Sequence, residues 1–328
     1  MGREAPRMIQ TVDFAPLDGI TKVVFRVTWA RHFGGVDRFF IPFFSPTPQH
    51  LMTPRDLREL DPANNGGLVS IPQIMTRKAE DFIWAAGQCA ELGYEEVNLN
   101  LGCPSGTVTA KGKGSGFLAY PDDLDAFFDQ VFSRVKVRVS VKTRLGINDP
   151  EEFPRLMEIY NRYPIEMLTI HPRVRAEKYR GKVHLDVFRA AFETAKVPVC
   201  YNGDLQTVED VRAVEAAFPT LTHVMLGRGP IADPALPRKL QGGKSVTVEE
   251  LEDFLQDLYQ SYQAFYGQVE PACQRMKEVW FYLYHLFEDS ERLSGKLRRS
   301  RSPGDYERIQ GEFLHNLQLR DHADGAYV

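Results

Sequence analysis

The sequence predicts an α/β fold: a (β/α)8 TIM barrel followed by a small C-terminal all-helical domain. Apolar runs of strand length alternate with amphipathic helical segments eight times within about 230 residues, close to the size of such a barrel. After Pro237 the apolar residues follow helical spacing only. We therefore expect a barrel over residues 1–242 and a helical domain over residues 243–328.

The main alternative is an open, doubly wound parallel sheet. Such a sheet normally opens with a glycine-rich fingerprint directly after its first strand. Here the first strand runs into Pro16-Leu17-Asp18-Gly19, which lacks that fingerprint. The sequence therefore favours the closed barrel.

The individual elements follow from apolar periodicity, helix caps and turn residues. The predicted strands cover 11–15, 36–44, 67–74, a fourth run that ends before Cys103, 137–141, 166–170, 198–201 and 222–226. The predicted helices of the barrel cover 21–30, 54–60, 78–92, 121–135, 150–160, 183–193 and 207–218. Those of the helical domain cover 246–266, 271–287 and 306–319.

Composition narrows the class of protein. A formal net charge of -4 excludes a uniformly basic surface, so any site for a polyanion must be local. The four cysteines are widely spaced, which predicts neither a zinc site nor a disulfide framework. We find no leader segment and no apolar run of about 20 residues. We therefore expect a cytoplasmic protein without a membrane partner.

Polar residues follow successive predicted strands. Cys103 comes after the fourth strand, and it is the only cysteine predicted at this end of the barrel. The later strands are followed by Lys142, by His171, by Asn202-Gly203-Asp204 and by Gly227-Arg228. Because the carboxyl ends of parallel barrel strands share one rim, where barrel enzymes carry their chemistry, we expect these groups to lie together.

The turns after the last two strands suit a phosphate group. Gly203 follows the seventh strand and Gly227-Arg228-Gly229 follows the eighth. Barrels commonly bind phosphate there through backbone N–H groups, and an arginine fork matches phosphate oxygens. A glycine turn with a surface arginine is the structural alternative.

Lys142, Gln73 and Asn100 carry side chains that suit a flat, electron-rich ligand. A buried Lys142 needs an anion or a developing negative charge, or else an ion pair with an acid such as Asp204. Gln73 and Asn100 carry amides that can both donate to and accept from the edge of a heterocycle. A structural hydrogen bond to a loop backbone explains either amide equally well.

Taken together, these residues resemble the tRNA-dihydrouridine synthase family, FMN-dependent (β/α)8 enzymes with a C-terminal helical domain. The most specific motifs are Asn100–Pro104 (Asn-Leu-Gly-Cys-Pro) and Val141–Gly146 (Val-Lys-Thr-Arg-Leu-Gly). The other matching segments are Ala15-Pro16-Leu17, Phe25-Arg26, Gln73, Gly114-Ser115-Gly116, Thr169-Ile170-His171, Asn202-Gly203-Asp204, Gly227-Arg228-Gly229, and Arg275-Met276-Lys277 followed by Trp280.

The resemblance implies roles for these residues. It makes Cys103 the catalytic acid. The implied FMN contacts are Pro16, Leu17 and Asp18 along the flavin, Gln73 and Lys142 at its ring, His171 beside it, and Asn202, Gly203, Asp204, Gly227 and Arg228 at the ribityl phosphate. No metal ligand is implied.

The implied reaction converts uridine to 5,6-dihydrouridine in tRNA with NADPH as the reductant. Hydride passes from the flavin N5 to C6 of the uracil, and the enolate takes a proton at C5. A thiol with a pKa of about 8.5 is neutral near pH 7, so Cys103 is a suitable proton donor. The uracil must leave its stack to enter the pocket.

RNA contacts are expected at two kinds of place. Near the pocket we expect Asn100, Arg144, Arg173, Lys111 and Lys113. In the helical domain the segment 292–301 carries five basic residues in ten, among them Lys296, Arg298, Arg299 and Arg301. Contacts of this kind position an RNA without reading its sequence. A solvated basic face is the alternative reading of this segment.

Three other functions stay open at this point. The same reaction on ribosomal RNA fits the sequence equally well. An FMN barrel reductase acting on a small pyrimidine or an enone lacks a use for the basic segment. A structured-RNA-binding protein without activity would need no flavin. The sequence does not identify the uridine that is reduced, and we expect a monomer.

Overall fold

The computed structural model describes residues 9–325 of the 328-residue chain. Eight parallel strands form a closed barrel in chain order, which confirms the predicted fold class. The strands are β1 (Thr11–Phe14), β2 (Arg38–Phe44), β3 (Ser70–Ile74), β4 (Glu96–Leu101), β5 (Arg138–Arg144), β6 (Leu168–His171), β7 (Val199–Tyr201) and β8 (His223–Leu226). Backbone N–H groups of Gln10 and Thr11 donate to the Thr222 carbonyl, 2.8 and 3.1 Å away, where the first and last strands meet.

Helices connect these strands and continue beyond them. Within residues 9–325 they are α1 (Val23–His32), α2 (Pro54–Leu60), α3 (Ala79–Glu91), α4 (Gly106–Thr109), α5 (Pro121–Phe132), α6 (Phe153–Tyr160), α7 (Leu185–Thr194), α8 (Val208–Ala217), α9 (Gly229–Ala232), α10 (Leu236–Leu240), α11 (Val248–Tyr266), α12 (Val269–Leu283), α13 (Glu291–Arg299) and α14 (Pro303–Asn316). Short 3-10 helices cover Pro62–Asn65, Gly114–Ala119, Pro150–Glu152 and Tyr284–Leu286. None of the helices described is long and apolar enough to cross a membrane.

The chain divides into two compact units that are not contiguous in sequence. The first contains the described residues up to Pro16, Arg38–Asp204 and Glu215–Met225, and with them nearly all of the barrel strands. The second contains Leu17–Asp37, Leu205–Val214 and the described residues from Leu226 onward. Helix α1 therefore belongs to the same unit as the C-terminal helices.

Strand β4 shows why the barrel carries polar chemistry inside it. Every residue of this strand is buried. Because side chains alternate between the two faces of a strand, Val97, Leu99 and Leu101 occupy one face, while Asn98 and Asn100 occupy the other. The strand thus combines an apolar face with a face of buried amides, which need hydrogen-bond partners from neighbouring strands.

In the second unit, aromatic packing joins α1 to α11. The Phe254 ring lies edge-on to Phe25 and Phe33, with centroids 6.3 and 5.1 Å apart. Helix α11 begins at a capping box formed by Thr247 and Glu250 and ends at Gly267, whose φ of +66° is left-handed. These caps define the longest helix described, and its apolar stripe buries against α1 and α12.

Two segments differ from the sequence-based interpretation. The basic segment forms α13, whereas we predicted no helix there. Its apolar stripe is short, since Leu297 is its one buried residue, so periodicity gave little signal. The glycine-rich segment after Cys103 forms a 3-10 helix over Gly114–Ala119.

Candidate active site

The loop that follows β4 fixes the backbone of Cys103. The Asn100 Oδ1 atom accepts the N–H groups of Gly102 and Cys103, both at 3.0 Å. The Cys103 carbonyl in turn accepts the Ser115 N–H at 3.1 Å and the Ser115 hydroxyl at 2.8 Å. The loop is therefore anchored on both sides of the thiol.

Gly114 allows this loop to be compact. Its φ is +55°, a conformation that side chains rarely adopt. A Cβ atom at this position would lie 2.9 Å from the Cys103 carbonyl oxygen and 3.1 Å from the Cys103 Cβ. A glycine is thus required directly beside Cys103, which gives a physical reason for the Gly-Ser-Gly segment.

Cys103 differs from the other cysteines in its exposure. All four cysteines lie within the described residues; Cys89, Cys200 and Cys273 are buried, and Cys103 is partly exposed. Burial raises the pKa of Cys89 to about 12 and also raises that of Cys200. Cys89 and Cys200 therefore belong to the core, and Cys103 is the thiol that solvent can reach.

The two predicted binding amides lie on adjacent strands and contact each other. The Asn100 Nδ2 donates to the Gln73 Oε1 at 2.7 Å. The Gln73 Nε2 donates to Asn98 Oδ1 at 2.8 Å. Gln73 has no exposed surface and Asn100 has 7%. Asn100 thus makes the hydrogen bonds to a loop backbone that were the alternative to a ligand contact. Ligand contacts of either amide stay a prediction.

Lys142 is half-buried, and its ammonium group faces an amide. Its Nζ donates to Asn202 Oδ1 at 2.7 Å, and the Asn202 Nδ2 donates to the Met225 carbonyl at 2.7 Å. No carboxylate among residues 9–325 forms an ion pair with Lys142, so the alternative pairing with Asp204 is not realised. Burial, and to a lesser extent the charge of Arg144, lowers the pKa of Lys142 to about 7, while Cys200 and Cys103 oppose this more weakly.

This low pKa predicts a pH-dependent stability. An unfolded lysine has a pKa of about 10.4. Between about pH 7 and 10 the unfolded chain therefore binds one proton more than the folded protein at this site, so its contribution to the free energy of unfolding rises by about 1.4 kcal/mol per pH unit. We expect Lys142→Met to remove this rise. Urea unfolding at pH 7.0, 7.75 and 8.5 measures it, and identical slopes in the two proteins would contradict the prediction.

His171, at the end of β6, faces the ion pair between the buried Arg173 and the half-buried Asp204. Arg173 donates to both carboxylate oxygens of Asp204, at 3.0 and 2.5 Å. The Arg173 Nη1 also lies 3.2 Å from the His171 Nε2. Because a guanidinium can only donate, a hydrogen bond here requires His171 Nε2 to be the acceptor. Asp204 has a left-handed φ of +49°, which aspartate tolerates.

Arg144 links the Cys103 loop to the loop after β6. Its Nε donates to the Gly102 carbonyl at 2.9 Å, and its Nη1 donates to the carbonyls of Val174 and Lys178 at 3.2 and 2.6 Å. The Tyr179 ring centroid lies 5.2 Å from the Arg144 Cζ. Arg144 and Arg173, for which RNA contacts are predicted, are each 1% exposed. Both guanidinium groups bind protein loops, and their RNA contacts stay predictions.

Tyr179 was missed by sequence reasoning. Its ring is 47% exposed and lies 6.1 Å from the His171 ring, centroid to centroid. The signal was weak, because a single tyrosine in a polar loop has no periodicity. The structure places it beside Arg144 and His171 and thus at the same end of β5 and β6 as the other polar groups.

The residues predicted to contact the flavin and its phosphate are divided between the two units. In the first unit, a Cβ on Gly203 would lie 3.1 Å from Val183 Cγ1 and 3.5 Å from His171 Cδ2, so the glycine keeps the backbone close to His171. Pro16 ends the first segment of that unit. Leu17, Asp18, Gly227 and Arg228 belong to the second unit, and their roles stay predictions.

The predicted RNA contacts differ in exposure. Lys111 is exposed and Lys113 is half-buried, and burial lowers the pKa of Lys113. In the second unit Arg298, Arg299 and Arg301 are exposed. Lys296 is half-buried, with its Nζ 3.7 Å from a carboxylate oxygen of Glu312.

The closed parallel barrel carries a thiol on the loop after β4, an amine on β5 and an imidazole at the end of β6. These features define a (β/α)8 protein with an enzyme-like site. The model of the family described as "Dihydrouridine synthase (Dus)" matches residues 13–316. This match spans most of the chain, and the chain belongs to the dihydrouridine synthase family.

Three relatives illustrate the extent of the similarity. The chain is 29% identical to the tRNA-dihydrouridine synthase B of Pasteurella multocida, over 82% of each chain. It is 32% identical to a probable tRNA-dihydrouridine synthase 1 of Synechocystis, over 69% of this chain and 63% of the relative. It is 30% identical to a tRNA-dihydrouridine(16) synthase of Ralstonia nicotianae, over 70% of this chain and 72% of the relative. The predicted family is confirmed.

Proposed function

We propose that this protein reduces uridine to 5,6-dihydrouridine in tRNA, with FMN as its cofactor, NADPH as the reductant and Cys103 as the proton donor. One observation carries the proposal. Cys103 is the solvent-accessible thiol on the loop after β4, and Asn100, which anchors that loop, is paired in register with Lys142 on β5. The family membership and the names of the relatives support the choice of reaction and substrate.

The residues of the first unit fit a flavin. Lys142 is a desolvated amine without a carboxylate partner, which suits the electron-rich edge of an isoalloxazine. Gln73 and Asn202 add amides that can both donate and accept. We propose that FMN is held by Pro16, Gln73, Lys142, His171, Asn202, Gly203 and Asp204 of the first unit. The FMN contacts expected of Leu17, Asp18, Gly227 and Arg228 stay predictions.

The side chains of this protein manage charge and protons during the reaction. When bound, reduced FMN supplies the hydride for C6 of the uracil. The electron pair then lies on the enolate of the C4 carbonyl, and Cys103 donates the proton that C5 takes up. Asn100 holds the Cys103 backbone in place during this transfer. Lys142 stabilises negative charge in the site whenever it is protonated.

A structured RNA is a better substrate than a free base because of the exposed charge. Lys111 lies on the loop after Cys103, and Arg298, Arg299 and Arg301 lie at and beyond the end of α13. Phosphate contacts of this kind supply affinity and orientation, while the flipped uracil enters the pocket. We propose that residues 243–328 form an RNA-binding region on this basis.

Neutralising two of these arginines should weaken tRNA binding. We expect Arg298→Gln with Arg299→Gln to raise the Kd for tRNA about tenfold and to reduce the slope of log K against log salt by roughly 1 to 2. Filter binding between 50 and 200 mM salt measures both. The matched control is Arg55→Gln with Arg58→Gln on α2, which makes the same change in net charge. Equal weakening in both pairs would assign the effect to net charge alone.

The experiment that tests the proposed function uses the purified protein, NADPH and unmodified tRNA. Dihydrouridine counted by mass spectrometry, together with a flavin spectrum of the protein, would support it. Turnover of free uracil or of an enone without RNA would favour the small-molecule reductase. Reduction of ribosomal RNA in place of tRNA would change the substrate. RNA binding by a colourless protein that FMN cannot reconstitute would indicate an inactive binding protein.

A further inference from the structure

A chain of buried hydrogen bonds crosses β4 from the Cys103 loop. Starting at Asn100, it passes to Gln73 on β3, back to Asn98 on β4 and on to Ser140 on β5, over distances of 2.7, 2.8 and 3.0 Å. Gln73, Asn98 and Ser140 have no exposed surface. We call these four side chains the amide relay. The two members farthest from the Cys103 loop, Asn98 and Ser140, have no role in the function proposed above.

The loop end of the amide relay fixes the direction of its hydrogen bonds. Backbone N–H groups can only donate, so Asn100 must present its oxygen to Gly102 and Cys103. Its NH2 group is thereby turned to Gln73, which must accept with Oε1 and donate with Nε2. Each amide orientation therefore determines the next one.

The other end of the amide relay agrees with the same direction. The Ser140 hydroxyl donates to the Val97 carbonyl at a longer 3.5 Å, and a carbonyl can only accept. The Ser140 oxygen is then left to accept from Asn98 Nδ2 at 3.0 Å. Asn98 consequently turns its oxygen to Gln73. Both ends agree, so every member has one orientation that satisfies all of its neighbours.

We infer that Asn98 and Ser140 are positioning residues for Cys103: through Gln73 they fix the orientation in which Asn100 holds the loop. An Asn100 amide rotated by half a turn would place its NH2 group against two N–H donors, which is repulsive. A broken relay leaves the Gln73 NH2 group without its acceptor, so Gln73 holds the Asn100 NH2 group, and with it the loop, less firmly. The effect on catalysis rests on the proposed role of Cys103, whereas the effect on the loop does not.

The test measures the Cys103 loop directly. In Asn98→Leu, the Gln73 NH2 group loses its acceptor, so Gln73 no longer holds the Asn100 NH2 group firmly and the Cys103 loop is less well fixed. We expect iodoacetamide to alkylate Cys103 about five- to tenfold faster, the factor expected for the loss of one net hydrogen bond. Mass spectrometry identifies the labelled cysteine, since the other three are buried. In tRNA reduction we expect a lower kcat with an unchanged KM for tRNA.

Three further variants separate positioning from loss of stability. Asn98→Asp should keep the wild-type alkylation rate, because a carboxylate oxygen still accepts from the Gln73 NH2 group. Ser140→Ala removes only the acceptor of Asn98 and should give a smaller increase in the rate of Cys103 alkylation. If Asn98→Leu does not fold, this variant tests the inference. Asn65→Leu is the matched control: Asn65 is 2% exposed and donates to the carbonyls of Glu59 and Asp61. It should lower the melting temperature and leave Cys103 alkylation unchanged.

The outcomes are distinct. Wild-type alkylation rates in both Asn98→Leu and Ser140→Ala would overturn the inference. So would equal acceleration in Asn65→Leu, because the effect would then follow stability. If the wild-type protein does not reduce tRNA, the proposed function fails, but the alkylation rates still decide whether the amide relay holds the loop.

Discussion

Replacing Cys103 by alanine lowers the rate of dihydrouridine formation about 10²- to 10⁴-fold, the range expected for the loss of a general acid. The variant retains the Asn100 contacts, because those involve the Cys103 backbone. We therefore expect tRNA affinity and flavin content to stay at wild-type values. Single-turnover reduction of tRNA by the NADPH-reduced protein, followed by mass spectrometry, measures the loss.

The control for this variant is Cys89→Ala. Cys89 is fully buried on α3, so its loss affects packing alone. We expect a modest loss of stability and an unchanged rate of reduction. Wild-type activity in Cys103→Ala would remove the thiol from the mechanism, and the proton would then have to come from another group or from water.

Replacing Arg173 by methionine should cause the largest loss of stability. The variant removes the bidentate partner of Asp204 and the donor that His171 Nε2 faces. Removal of one member of a buried ion pair typically costs 3–5 kcal/mol. Because the Asp204 side chain is 36% exposed, we expect about 2–3 kcal/mol here, measured by urea unfolding.

Arg138→Met provides the matched control. Arg138 also faces two carboxylates, Glu166 at 2.9 Å and Glu95 at 3.5 Å, but its side chain is 53% exposed. Exposed ion pairs contribute about 1 kcal/mol or less. A loss in Arg173→Met no larger than in Arg138→Met would show that burial adds nothing to the Asp204 pair.

The fold could be predicted from sequence because each barrel strand is a short apolar run followed by a turn. Periodicity located all eight strands, and the structure closes them into a barrel. It did not locate α13, in which Leu297 is the one buried residue. Nor could it reveal that α1 belongs with the C-terminal helices, because that grouping depends on packing between segments more than 200 residues apart.

The site was predicted less completely than the fold. Residue type and position at a strand end sufficed to select Cys103, Lys142 and His171. They could not show the partners of Arg144 and Arg173, since both guanidinium groups bind carbonyls or a carboxylate on loops of irregular backbone. The same limit explains why Asn98 and Ser140 escaped notice: a buried polar residue in a strand gives no sign of which neighbour satisfies it.

The pairing of α1 with α11 limits how this protein can be divided by engineering. A fragment ending at residue 242 would keep Phe25 and Phe33 but lose Phe254, against which both rings pack. The apolar side of α1 would then be exposed to water, and we expect such a fragment to aggregate during synthesis. If the C-terminal helices were replaced by those of a relative, α1 would have to be replaced with them. The unit that can be exchanged therefore consists of two segments far apart in sequence.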